Sequence, residues 1–410
     1  MMIGFLALPV ELRLHIYEHV LAECQTVRRR TQPSNAHLRL LHTCKQIERE
    51  AGPILKRYIS LLHEHQIQTL LLRGHHSVLA RVEWADVAND GRVFHKGHGP
   101  EEGTRKEEDV PLSSLHVALA RMTSLKRLRV FQCRQGLPIN LQNTIALHRS
   151  RRLGLRFERA MFPKHSPALS MYALHLSPET RVELFDTVLP HALVDLRLSG
   201  DMVAPPGKST FMPVPALRHL TLHGITGNLF DRRPLDECFP GARLDSFTYA
   251  LGDRLGFEIR NLHLESLATT ALGARLTRLV LLGCSRLSSS TITRCLENLR
   301  GLEYFALHLV TVDELRSNFV LALPPSLSVF KLQVINAWYA IPLWDEERGF
   351  CTAVEEEVLL RATPLRHVCI CFRTQLMAED GRHQRWASIA AERGFKLDIG
   401  PWESQMVDEI

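Results

Sequence analysis

None of the nine cysteines stands in a CxxC pair, and no HExxH or Cys/His quartet accompanies them. Zinc is usually bound through donors delivered at such paired spacings. The other histidine groups, His63-Glu64-His65, His75-His76 and His95 with His98, do not have them, so we expect no metal. Thiols scattered without a disulfide framework suit a reducing compartment, cytoplasmic or nuclear. No apolar run reaches membrane-spanning length, and the opening Met1 to Val10 lacks a basic region before it meets Glu11 and Arg13. Neither a transmembrane helix nor a signal peptide is expected. Also missing are a nucleophile elbow, a phosphate-cradling glycine loop and an H-R-D triplet. The sequence therefore supports no catalytic residue, no enzyme activity and no cofactor. The basic runs Arg28-Arg29-Arg30 and Arg149-Ser150-Arg151-Arg152 carry no interleaved aromatics. A net charge of +6 and a pI near 8.9 permit weak attraction to acidic partners, but nothing indicates a nucleic-acid stacking platform.

With 45% hydrophobic and 23% charged residues over 410 positions, the composition is that of a globular chain with a large core. Its most informative stretch is Leu8-Pro9-Val10-Glu11-Leu12-Arg13-Leu14-His15-Ile16-Tyr17-Glu18-His19-Val20. On a helix, Leu12, Ile16, Val20, Tyr17, Val10, Leu21 and Leu14 cover an arc of roughly 200°, interrupted by Arg13, about twice the stripe that one core requires. Such a helix has two apolar neighbours, one from its own chain and one from another protein. Pro9 suits a first turn, where its missing N–H has no intrahelical partner. Leu40, Cys44, Ile47 and Ala51 then recur at helical spacing, with Ser34 or Asn35 as N-cap. Pro53 should end that helix and open a third, in which Ile54, Tyr58, Leu61 and Leu62 share a face.

The Leu8-Pro9-x-Glu11-Leu12 opening and the segment Leu41-His42-Thr43-Cys44-Lys45-Gln46-Ile47 resemble an F-box, over about residues 5 to 62. The resemblance implies docking on a Skp-type adaptor and its cullin complex through Leu8, Pro9, Leu12, Ile16 and Tyr17. The long basic connector between Cys24 and Leu38 departs from the family pattern. The alternative is three amphipathic helices that cap a larger domain.

Beyond residue 62, Ala80, Val82 and Trp84 alternate as one face of a first strand, and residues 89–109, rich in glycine and charge, predict a mobile loop. Leu115, Ala118, Leu119 and Met122 form a helical stripe behind Ser113 or Ser114. A motif then recurs nine times: apolar, two spacers, apolar, one spacer, apolar. It opens at Leu125, Leu169, Leu193, Leu217, Leu244, Leu276, Leu302, Leu327 and Leu365. The tightest intervals are 24 residues (169 to 193 and 193 to 217), 26 (276 to 302) and 25 (302 to 327). The longer ones of 44, 32 and 38 imply degenerate units or insertions. The array resembles the irregular leucine-rich repeats that often follow an F-box; an ordinary α/β fold is the alternative. The expected fold class is thus α/β, with an F-box-like three-helix module (1–62), a leucine-rich-repeat solenoid (63–400) and a polar tail (401–410).

Two local details complete the expectation. Ser288 to Thr291 should cap a helix, and Gly394 should close the last one before a strand at Phe395 to Ile399. Four of the five tryptophans fall in the last quarter, and Trp338, Tyr339 and Trp344 occupy the insertion before the ninth motif. They are either anchors for a target protein or a plug at an irregular junction.

Overall fold

The computed structural model describes residues 5–25, 33–73, 76–88, 114–131, 158, 161–162, 167–176, 178, 180–203, 211–252, 256–311, 315–361 and 364–403. The loop predicted at 89–109, the basic runs at 28–30 and 149–152, and His75, His95 and His98 lie outside them. The fold is mixed α/β with parallel strand pairing, and the chain divides into two compact units, Met1–Pro190 and His191–Ile410. The boundary expected at residue 62 therefore falls inside the first unit.

Unit 1 opens with helix α1 (Val10–Gln25), a 3-10 turn at Ala36–His42 and helix α2 (Lys45–Leu55). Tyr17, Leu21, Leu41, Ile47, Ala51, Ile54, Leu55 and Tyr58 enclose a small core. Two expectations fail here. Pro53 does not end α2; it lies within it. The lost hydrogen bond is tolerated because the next two residues, Ile54 and Leu55, are buried in that core. Nor does a third helix open at Pro53 and carry Tyr58 and Leu61; the next helix is Glu64–Arg73, after a strand. Tyr58–Leu61 is strand β1, all four residues buried, and it pairs in parallel with β2 (Trp84–Ala88). Asn35 closes its outer edge: its side chain donates to the Ser60 carbonyl at 2.7 Å and accepts from the Ser60 N–H at 2.8 Å. That satisfies backbone groups which an edge strand would leave open. Asn35 precedes the 3-10 turn without capping it through its side chain, while the Cys44 sulfur caps α2 by accepting from the Ile47 N–H at 3.5 Å.

Strands β2, β3 (Arg127–Phe131) and β4 (Met171–His175) continue the parallel ladder of unit 1. Strand β2 begins at Trp84, so Ala80 and Val82 precede it instead of sharing its face. From Ala85 onward both sides of β2 are enclosed, and Ala85 and Val87 stand in register with Leu128 and Val130. Helix Leu115–Arg121 has Ser114 at its cap position, without a side-chain bond.

Unit 2 repeats one step. Its strands are β6 (Asp195–Val203), β7 (His219–Thr226), β8 (Ser246–Ala250), β9 (Arg278–Cys284), β10 (Tyr304–Thr311), β11 (Val329–Asn336), β12 (His367–Cys371) and β13 (Lys396–Ile399), each parallel to the next; β5 (Arg181–Glu183) is a short strand of unit 1. In all nine motifs the second and third apolar residues fall on a strand and the opening leucine stands two residues before it; in unit 2 the middle residues stack in register: Leu196, Leu220, Phe247, Leu279, Phe305, Phe330 and Val368. The same backbone device sets every step. The Val194 carbonyl accepts from Arg218 and His219, Arg218 from Asp245 and Ser246, Asp245 from Thr277 and Arg278, and so on to Ser328 with Arg366 and His367. A parallel neighbour needs a long return connection, and these returns pack on one another in chain order. Tyr249 meets Phe257 edge-on at 5.9 Å, and Phe257 meets His263 of helix Asn261–Thr269 at 5.0 Å. The returns thus cover the face that carries the motif residues. Ser288 caps helix Ser289–Asn298 through the Thr291 N–H, and Gly394 ends helix Arg382–Arg393 in the left-handed region, as expected.

Candidate functional site

Helix α1 is two-sided. Arg13, Tyr17 and Leu21, spaced by four, form its inner face. Arg13 Nε and Nη2 lie 2.8 and 2.7 Å from the two Glu50 carboxylate oxygens, and Nη1 donates to the Leu6 and Leu8 carbonyls. This bidentate grip ties the start of α1 to α2, and it holds the Glu50 carboxyl down at about 2. The residue that interrupted the apolar arc thus belongs to the inner face.

The outer face is apolar and open to solvent. Leu12 is 53% exposed, and Leu6, Pro9, Val10, Leu14 and Ile16 are exposed around it, with Leu8 half-buried. Tyr17 corrects the docking set: it is 0% exposed, 5.8 Å from the Phe5 ring, with its hydroxyl 3.3 Å from Glu50. Four residues from Arg13 and from Leu21, it faces the module's own core and offers nothing to an adaptor.

A second exposed apolar surface follows β11. Trp338 is 95% exposed and edge-on to Tyr339 at 5.4 Å, and Ile341 is open beside them. Trp344 opens helix Trp344–Ala353 at 39% exposure, under the Arg373 guanidinium at 4.9 Å. Arg373 also pairs with the buried Glu347 at 2.9 Å, which holds its guanidinium in place over the ring. These rings do not plug a junction. Trp386 and Trp402, by contrast, are buried, and Trp386 Nε1 donates to Glu355 at 2.7 Å.

Titratable clusters lie elsewhere. In unit 1 the buried Asp86 accepts from Arg129 at 2.7 and 2.6 Å, from the Tyr58 hydroxyl at 2.7 Å and from Trp84 Nε1 at 3.1 Å. These bonds fill the carboxylate, which makes it a clamp between β1, β2 and β3. In unit 2, His367, Cys369 and Asp398 bring three donors within 4.8 Å of one another. Sequence spacing concealed this group, because Asp398 arrives from the next strand, opposite Cys369. Its geometry is that of an ion-pair network. His367 Nε2 is 2.6 Å from Asp398 and 3.1 Å from the Cys369 sulfur, so one nitrogen serves both, and Lys396 Nζ is 2.6 Å from the same Asp398 oxygen. Burial pushes the Cys369 thiol up to about 11, away from nucleophilic use. A hollow of about 290 Å³ beside β13 is lined by Ala387, Ala390, Phe395, Leu397 and Ile399, with His383 as its polar group.

The described residues thus carry an exposed apolar patch on α1 and another after β11. No family model matches the chain, and no curated protein is significantly similar to it.

Proposed function

We propose that the chain is a protein-recognition subunit: the substrate receptor of a Skp-cullin-F-box ubiquitin ligase, in which α1 docks on the adaptor and a leucine-rich-repeat array presents the target. The observation that carries this reading is the outer face of α1, where Leu12 at 53% exposure, Val10 and Ile16 stand open while the inner face is packed. Contiguous apolar surface of this kind costs solubility and usually marks a partner site. The F-box resemblance of Leu8 to Leu12 supplies the partner's identity, and Leu8, Pro9, Leu12 and Ile16 are the contact residues. Trp338, Tyr339 and Trp344 are the target anchors, since large rings dominate the energy of such interfaces. The in-register ladder and its chain-ordered returns support the repeat reading. On this reading the chain itself performs no bond chemistry, and it works in the cytoplasm or nucleus.

A second reading, an F-box-like repeat scaffold outside ubiquitination, is favoured by one observation: β1 stands where the family pattern has a third helix. Affinity purification from the native cell, with and without proteasome inhibition, separates the two. Recovery of a Skp-type adaptor with cullin supports the receptor; a folded chain recovered with neither leaves the scaffold.

A further inference from the structure

The ladder of unit 2 ends on an open edge. Strand β13 pairs with β12 alone among the described strands. Lys396 donates its N–H to the Arg366 carbonyl and Gly400 donates to the Ile370 carbonyl, both at 2.9 Å. Even-numbered residues thus turn their backbone groups toward β12, and alternation turns those of Leu397 and Ile399 outward. Edge groups left open in this way recruit another strand unless the fold guards them. The edge of β1 is guarded, since the Asn35 side chain bonds the Ser60 backbone. Among the described residues, no side chain does the same for Leu397 or Ile399.

Shape and charge beside this edge select what fits it. Leu397 and Ile399 are half-buried next to the hollow of about 290 Å³, whose other wall is Ala387, Ala390 and Ala391 of helix Arg382–Arg393. Residues this small let a further apolar element approach. Lys396 and Asp398 stand on the opposite face of the strand. The segment is complementary to itself: an antiparallel copy centred on Leu397 sets Lys396 opposite the partner's Asp398, Phe395 opposite the partner's Ile399 and Gly394 opposite the partner's Gly400. Leu397 then meets its own copy as a hydrogen-bonded pair. The Lys396 and Asp398 pairs fall at the positions where cross-strand side chains come closest. Lys396 Nζ already lies 2.6 Å from Asp398 of its own strand, and across the axis the charges alternate in sign. The registers on either side would set Lys396 against Lys396 or Asp398 against Asp398, which like charges disfavour.

We propose that β13 is the contact of a two-fold dimer: a second copy of this chain adds its own β13 antiparallel, in the register centred on Leu397, and the two sheets become continuous. Such a contact uses the same surface on both copies and closes on itself. A head-to-tail contact of β13 with β1 would not close, and Asn35 occupies that edge. The dimer contact is separate from the exposed faces of α1 and of Trp338, and it holds whether or not α1 docks an adaptor.

The test uses the full chain, with molar mass read by sedimentation equilibrium over a dilution series. The native chain should move from 46.7 kDa toward twice that value as concentration rises. Ala391→Arg, at an exposed position on the helix flank, should weaken the dimer about tenfold or more while the melt stays native. Lys396→Glu, which gathers carboxylates at the axis, should weaken it as well. Leu397→Cys sets two thiols on Cα atoms about 5.5 Å apart, within disulfide reach, so mild oxidation should give a reducible dimer beyond any that the native chain forms. A native chain that stays at 46.7 kDa throughout overturns the proposal and leaves the edge to a strand of another protein. So does a dimer that Ala391→Arg leaves intact, or one that Leu397→Cys does not cross-link. Dissociation by Leu12→Asp with Ile16→Asp would place the contact on α1 and overturn it too.

Discussion

Rings of the same chemistry hold opposite positions in this chain, and burial alone separates their consequences. Trp338 presents 95% of its surface to water, so Trp338→Ala with Trp344→Ala should lower the unfolding free energy from a urea titration by about 1 kcal/mol or less, while target capture in a pull-down falls steeply. Trp386, fully enclosed and bonded to Glu355, should cost roughly 3 to 5 kcal/mol when cut to alanine. Two carboxylates of unit 1 make stability depend on pH with opposite signs. Burial pushes Glu158 up to about 7, against the N–H groups of Phe185, Thr187 and Val188 that favour its ionised form. The folded chain then holds the Glu158 proton more tightly than the unfolded chain, so its contribution is lost as pH rises from about 4.5 to about 7. The loss is on the order of 3 kcal/mol, and Glu158→Gln should abolish it in urea titrations across that range. Glu50, held at about 2 by Arg13, does the reverse. Its contribution is full above about 4.5 and disappears as pH falls toward 2, and Glu50→Gln should flatten that acid limb.

Among the elements, α1 is the one asked to satisfy two environments. Its inner face is committed: Tyr17→Ala should cost roughly 3 kcal/mol or more, since the ring fills the core between α1 and α2 and anchors on Glu50. The outer face is free. Leu12→Asp with Ile16→Asp should leave the thermal melt unchanged and abolish co-purification of a Skp-type adaptor; a double variant that still brings the adaptor down would end the docking assignment. Replacing Leu8 and Pro9 by alanine tests the same face, although Leu8 is half-buried and is the less clean probe. Strand β1 shows what surroundings do to a short segment. Tyr58-Ile59-Ser60-Leu61 is apolar enough for a helix face, yet it lies beside Trp84–Val87 with Asn35 sealing its other edge.

For the molecule, the consequence of the ladder is shared cost. The middle motif residues of β7 to β12 stand in register with a rung on either side, so no such step buries its apolar side alone. Leu281, fully enclosed between Tyr249 and Leu307 in register, is a case in point. Leu281→Ala should cost about 2 to 5 kcal/mol, and amide exchange should show the protection of β8, β9 and β10 falling together. Loss confined to β9 would mean that the steps are independent.

Sequence by itself determined whatever depends on neighbours along the chain. The nine motifs marked their strands because alternation puts every second residue on one face, and a shared internal spacing keeps those faces in register. Ser288 and Gly394 were legible as caps for the same reason, since a helix end is satisfied within one turn. The exposed side of α1 was legible as surplus apolar arc. Only the tertiary structure decided which part of that arc is inner, because Arg13 turns inward when Glu50 arrives 37 residues later. It also decided that Tyr58–Leu61 pairs as a strand, and that Val82-x-x-Ala85-x-Val87 continues the ladder with a residue too small to stand out in sequence. Asp398 reaches His367 from the next strand, and Trp402 crosses onto the open face of the sheet. Each of these depends on which distant segment competes for the same surface, and local periodicity carries no term for that competition.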